Sequence, residues 1–199
     1  MKSRAFPATV IIVIAIAVLG SMDLAAQMMP GPSMPSPSTT PSAPWRDRFT
    51  LKAPNGVAFS EMRGYETWQD VAVSETDEGL KVIVGNSVMM KAYKEGIPGN
   101  RKPFPEGSKI VKIEWSKRAN SASPYPVREP DTLRSVAFIQ KDSKRFPDTS
   151  GWGYAQFFYD AASETVKPFG SDSSFGKVCY GCHTIVKAKD YIFTSYPRR

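Results

Sequence analysis

Mainly β structure with a few short helices (α+β) is what this 199-residue sequence predicts. Residues 80–84, 109–117, 133–140 and 152–159 are dense in β-branched and aromatic side chains over strand-like lengths. The links between them are short or rich in Gly and Pro, which suits antiparallel better than parallel order. No long amphipathic stretch of the kind a helical bundle requires is present. The expected architecture is an antiparallel β-sheet of about five strands with short helices.

The chain opens with Lys2 and Arg4, then an apolar run over residues 8–19, then the small residues Ala25 and Ala26. That is the pattern of a secretory signal peptide over residues 1–26, cut close to Gln27. The run is short for a spanning helix, and an uncleaved membrane anchor is the alternative. Residues 27–44 are mostly Pro, Ser, Thr and Met and cannot bury enough apolar surface to offset their ordering entropy. A disordered tether is expected there, with Met28, Met29 and Met34 read as linker rather than metal ligands. The folded domain is expected over residues 45–199.

Within the domain, residues 65–73 read as the first strand and 74–79 as an acidic turn. Residues 80–84 form a second strand, stopped by Gly85 and Asn86. Ser87 is the expected cap of a helix over 88–95, whose Val88, Met89, Ala92 and Tyr93 share a face that reads as core. After a Gly/Pro-rich loop, strand 109–117 alternates Val111, Ile113 and Trp115 on one face with Ile110, Lys112 and Glu114 on the other. Residues 121–131 are proline-rich and read as irregular. Strands follow at 133–140 and 152–159, and residues 191–196 read as a closing strand.

Hydrophobic and aromatic contents of 41% and 12% suit an ordinary core. The net charge is +7, with no dense basic run or nucleic-acid motif, so nucleic acid is not an expected partner. The lysines read as solvated surface, or as a field steering the protein toward an acidic partner.

Near the C-terminus stands Cys179-Tyr180-Gly181-Cys182-His183, a C-x-x-C-H sequence containing the only two cysteines and the only histidine of the chain. This is the attachment signature of a c-type haem. On one helical turn, each thiol reaches one vinyl group of the haem, and the following histidine supplies the proximal nitrogen to the iron. A zinc site would need further Cys or His ligands, and the chain has none to offer. A thioredoxin-type pair would open a helix after a βαβ unit, and a disulfide across this spacing would be strained. One covalently bound haem c is therefore expected, held by Cys179, Cys182 and His183. Export agrees with it, because thioether attachment is normally completed outside the cytoplasm; a periplasmic location is expected.

Several other pieces stand in a recognisable order. Phe104-Pro105-Glu106-Gly107 turns into the strand carrying Lys112; then come the segment 141–146, Gly151-Trp152-Gly153, the haem motif, and Tyr191-Ile192-Phe193-Thr194. From about Gly64 to Pro197 the chain resembles the cytochrome P-460 family, small β-sheet haem proteins related to cytochrome c′-beta. The resemblance implies a homodimer with one haem c per subunit. It also implies a catalytic, cofactor-binding lysine whose nitrogen is bonded to a meso carbon of the ring, and Lys112 matches that position. A free lysine amine, with a pKa of about 10.4, is mostly protonated, and desolvation in an apolar pocket favours the neutral, nucleophilic form. An ordinary strand lysine paired with Glu114 is the other reading of Lys112.

For members with the cross-link, the resemblance implies oxidation of hydroxylamine to nitrous oxide or nitric oxide at an open distal iron position. Electrons then pass to an external acceptor such as a c-type cytochrome. Proton removal calls for a distal carboxylate. Glu114, Glu95, Asp160 and Asp172 are all candidates, and no motif selects among them. With His183 the sole histidine, the distal side is open or held by Met or Lys. Two other readings stand beside the enzyme: a nitric oxide-binding, cytochrome c′-beta-like protein without the cross-link, and an electron-transfer cytochrome with a six-coordinate haem.

Overall fold

The computed structural model describes residues 42–199. The expected signal peptide, and the expected linker up to residue 41, lie outside the described residues. The strands are β1 (Ala43–Pro44), β2 (Gln69–Thr76), β3 (Gly79–Gly85), β4 (Lys109–Ala119), β5 (Arg128–Lys141), β6 (Trp152–Asp160) and β7 (Thr165–Pro168). The helices are α1 (Ser87–Lys94) and α2 (Phe175–His183), joined by 3-10 turns elsewhere. All seven strands form one antiparallel sheet in the order β1-β7-β6-β5-β4-β3-β2. Mainly β with short helices is the observed class; the strand count is seven rather than about five.

The two uncounted strands are β1 and β7, of 2 and 4 residues, too short to show alternation. β1 uses Ala43 and Pro44, at the end of the stretch read as linker, and pairs with Val166 and Thr165. β2 starts later than expected because Tyr65–Thr67 forms a 3-10 turn behind Gly64, which sits at φ 82°. It then runs through the first half of the stretch read as an acidic turn, so that only Asp77 and Glu78 connect Thr76 to its partner Gly79. β5 likewise begins inside the stretch read as irregular, pairing Arg128 with Ala119. Residues 191–196 are not a strand. Asp190 and Tyr191 adopt left-handed backbone (φ 48° and 65°), which turns the chain across the sheet face instead of along an edge.

Alternation along the strands produces two cores. On one face, Val84, Val111, Val136, Phe138 and Phe157 pack beneath the N-terminal turns, centred on Phe59. The Phe59 ring meets Phe138 and Phe157 edge-on, at centroid distances of 4.8 and 4.9 Å. On the other face, Ile83, Ile110, Trp152 and Tyr154 pack against α1, Phe104 and Ile192. α1 buries Met89, Met90, Ala92 and Tyr93, so its stripe is core, with Met90 in place of half-buried Val88. Its cap is Asn86 rather than Ser87: Asn86 Oδ1 accepts from the N–H groups of Met89 and Lys109.

Candidate functional site

β4 places Ile110, Lys112 and Glu114 on the second face, as its alternation predicts. The register sets Lys112 between Ile83 of β3 and Ala137 of β5, with Gln156 of β6 beyond. One row along, Ile110 is followed by Ile139 and Tyr154. This patch of sheet is the floor of a cavity whose roof is Cys179 and His183 of α2 with Ile192, Phe193 and Thr194. Lys112 and the haem motif, far apart in sequence, thus line the same space.

The helix expected around the motif is α2, and it is anchored mainly at its N-terminal end, where Phe175 and Gly176 are its buried residues. At Gly176 a Cβ would press on the Asn55 side-chain amide, which would have to shift. Cys179 is half-buried and Cys182 exposed, both as free thiols. Burial first, then the neighbouring Cys182, push the Cys179 thiol up to about 11, only partly offset by the positive charge of Lys112. A redox-active C-x-x-C pair needs the opposite shift, because its thiolate is the nucleophile.

His183 Nδ1–H donates to the carbonyl oxygen of Tyr191 at 2.6 Å. That hydrogen bond fixes the tautomer and leaves the Nε2 lone pair for a metal. Burial lowers the pKa of the imidazole, the Tyr191 carbonyl works against this, and the charge of Lys112 lowers it further. A neutral ring, the form that ligates iron, is the result. The rings of Tyr154 and Phe193 flank it at 4.9 and 4.8 Å between centroids.

Lys112 Nζ lies 3.6 Å from Glu114 Oε2, and Lys81 Nζ lies 3.9 Å from the other carboxylate oxygen. Glu114 has a side chain only 12% exposed. The other carboxylates considered stand elsewhere. Glu95 pairs with Lys91 at the end of α1, Asp160 caps the turn after β6, and Asp172 caps the turn before α2. Of the four, Glu114 alone adjoins a residue that lines the cavity.

The residues fit a haem. The Cys179 thiol and an oriented imidazole face a largely apolar floor, with exposed Cys182 on the same helix, and the cavity also contains the ring of Tyr154. Its hydroxyl is buried and has no hydrogen-bond partner among the described residues, which leaves a donor for a group in the cavity. Among the described residues, no methionine lines the cavity. Sequence reasoning passed over Tyr154, Gln156 and the Tyr191 carbonyl. The first two carried a signal, since alternation from Trp152 sets 154 and 156 on one face; the carbonyl carried none.

No curated protein matches the chain. The model of one family, Cytochrome P460, matches residues 62–194, about two thirds of the sequence. That span runs from Met62, buried in the first core, to Thr194 in the cavity roof, and takes in every residue that lines the cavity. Strands β2 to β7, the cavity and the haem motif all fall within the matched stretch, and the chain belongs to the cytochrome P460 family of haem-containing cytochromes.

Proposed function

We propose that the protein is an exported haem c enzyme that oxidises hydroxylamine to nitrous oxide or nitric oxide. In this reading Cys179 and Cys182 hold the haem as thioethers, His183 Nε2 is the iron ligand, and Lys112 is bonded to the ring. The carrying observation is that Lys112 lines the same cavity as Cys179 and His183. When bound, the haem supplies an open iron position and a route for electrons. The chain supplies the rest. His183 is kept neutral by burial and oriented by Tyr191, while Ile83, Ile110 and Ile139 make the floor largely apolar.

Hydroxylamine loses protons as it loses electrons, and a carboxylate beside the cavity can take them. Glu114 is assigned that task. It first pairs with the Lys112 ammonium at 3.6 Å. With its nitrogen bonded to the ring, Lys112 would hold a proton only weakly, and Glu114 would be free to accept one from substrate. The leader and the thioether motif support a periplasmic location, and the family resemblance supports a homodimer that passes its electrons to an external acceptor such as a c-type cytochrome.

The Lys112–Glu114 ion pair also favours a second reading: a charged lysine that stays unlinked, in a protein that binds nitric oxide without turnover. The reduced absorption spectrum separates the two. The dithionite-reduced protein is expected to show a strongly red-shifted Soret band, and Lys112→Ala an ordinary c-type spectrum with haem still attached and hydroxylamine oxidation lost. An ordinary spectrum in the unmutated protein, with nitric oxide binding intact, selects the binding protein instead.

A further inference from the structure

The hydrogen bond that orients His183 comes from a backbone carbonyl in an uncommon conformation. Asp190 and Tyr191, neither of them glycine, are consecutive left-handed residues. Such a turn persists only where its surroundings over-determine it. The side chain of Asp190 shows what does so. Its Oδ1 and Oδ2 accept from Lys141 Nζ at 3.2 and 3.3 Å, and Oδ2 also accepts from the backbone N–H of Phe104 at 2.8 Å. Lys141, the last residue of β5, is 8% exposed. Its ammonium also donates to the Ser150 carbonyl at 3.1 Å and lies 4.7 Å from the Trp152 ring centroid. The Tyr191 hydroxyl accepts from Ser150 Oγ at 3.0 Å, which holds the next residue from the same side.

A burial this deep is costly for a lysine unless the pair is well formed and its remaining protons are satisfied. This one is, and it links the rigid end of a central strand to the residue before the carbonyl that holds His183. We propose that Lys141 and Asp190 are positioning residues for the proximal histidine. Their ion pair fixes the 190–191 turn, the turn aims the Tyr191 carbonyl at Nδ1, and the strength of that hydrogen bond sets how basic Nε2 is toward iron. Such partners of a ligating histidine tune affinity and potential. The inference rests on the assignment of His183 as the iron ligand.

The test uses the full haem-loaded protein and three variants: Lys141→Met, Asp190→Asn, and both together. Two quantities are read: the midpoint potential, by spectroelectrochemistry, and the iron–histidine stretching frequency of the ferrous form, by resonance Raman. Charge acting through space alone would move the potential in opposite senses, down when the lysine is lost and up when the aspartate is. A slackened Tyr191–His183 hydrogen bond makes the imidazole a weaker donor, which raises the potential and lowers the stretching frequency in all three. The double variant carries no unpaired buried charge and keeps the comparison open if a single variant folds poorly. Opposite shifts with an unchanged frequency, or no shift in the double variant, overturn the proposal. Failure of the axial assignment looks different: the unmutated protein would show no iron–histidine band, and His183→Ala would leave the spectrum unaltered.

Discussion

Glu61 illustrates how far single side chains tie this domain together. Burial alone would raise its pKa, but hydrogen bonds from Arg145, from the Ala58 N–H and from Gln140, with the charge of Arg145, together hold it at about 2. The folded value lies below the unfolded one, so the folded chain releases this proton more readily. The stabilisation is therefore complete above about pH 4.5 and is lost as pH falls toward about 2. Glu61→Gln is expected to lower the unfolding free energy by about 1–2 kcal/mol at neutral pH, with the gap closing across that acid range. Denaturant unfolding at a series of pH values checks it, and a gap independent of pH would mean that the charge of Glu61 contributes nothing. Sequence reading did not find this residue, because its partners Arg145 and Gln140 come from a distant part of the chain. What could be read residue by residue was local: the C-x-x-C-H run, and Glu114 on the same face as Lys112.

Strands and helices were legible in proportion to their length and regularity. β4 kept the alternation predicted for it as far as Glu114, before its register shifts at Trp115, and that puts Lys112 in the cavity floor. β7 and β1 were missed because so few residues carry no period, and the tail at 191–196 was misread because its aromatic, β-branched composition hides the left-handed turn at Asp190 and Tyr191 where it begins. The start of α1 is the most testable misreading. Asn86 Oδ1 accepts from Met89 and Lys109, and its Nδ2 donates to the Gly107 carbonyl, so one side chain joins the helix, β4 and the loop before it. Asn86→Ala is expected to cost about 1–2 kcal/mol in urea unfolding, while Ser87→Ala, at an exposed position, stays within about 0.5 kcal/mol. Equal losses would return the capping role to Ser87.

Across the whole molecule, the pieces that carried the family resemblance turn out to be one assembly. Glu106 accepts from the backbone N–H of Ser143, Lys141 reaches Asp190 beside the tail, and a Cβ at Gly153 would collide with the Phe146 ring. Their order in sequence was visible, whereas their convergence behind the haem motif depends on the sheet register. The motif is tied to this assembly by the His183–Tyr191 and Tyr180–Ser150 hydrogen bonds, but its helix is lightly packed. Past Phe175 and Gly176, α2 buries no residue, and most of the turn after it is exposed. Past Gly176 the helix is held by these hydrogen bonds and by the partial packing of Cys179 and Tyr180, and the thioether bonds would add a fastener to it. In a chain carrying Cys179→Ser and Cys182→Ser, backbone amides of α2 are expected to exchange with deuterium many times faster than those of β4 to β6, and haem attachment should bring the two to similar protection. Equal protection without haem would show that the sheet grips this helix unaided. Otherwise the sheet is a finished scaffold that waits, with its last helix ajar, for the group it was shaped to hold.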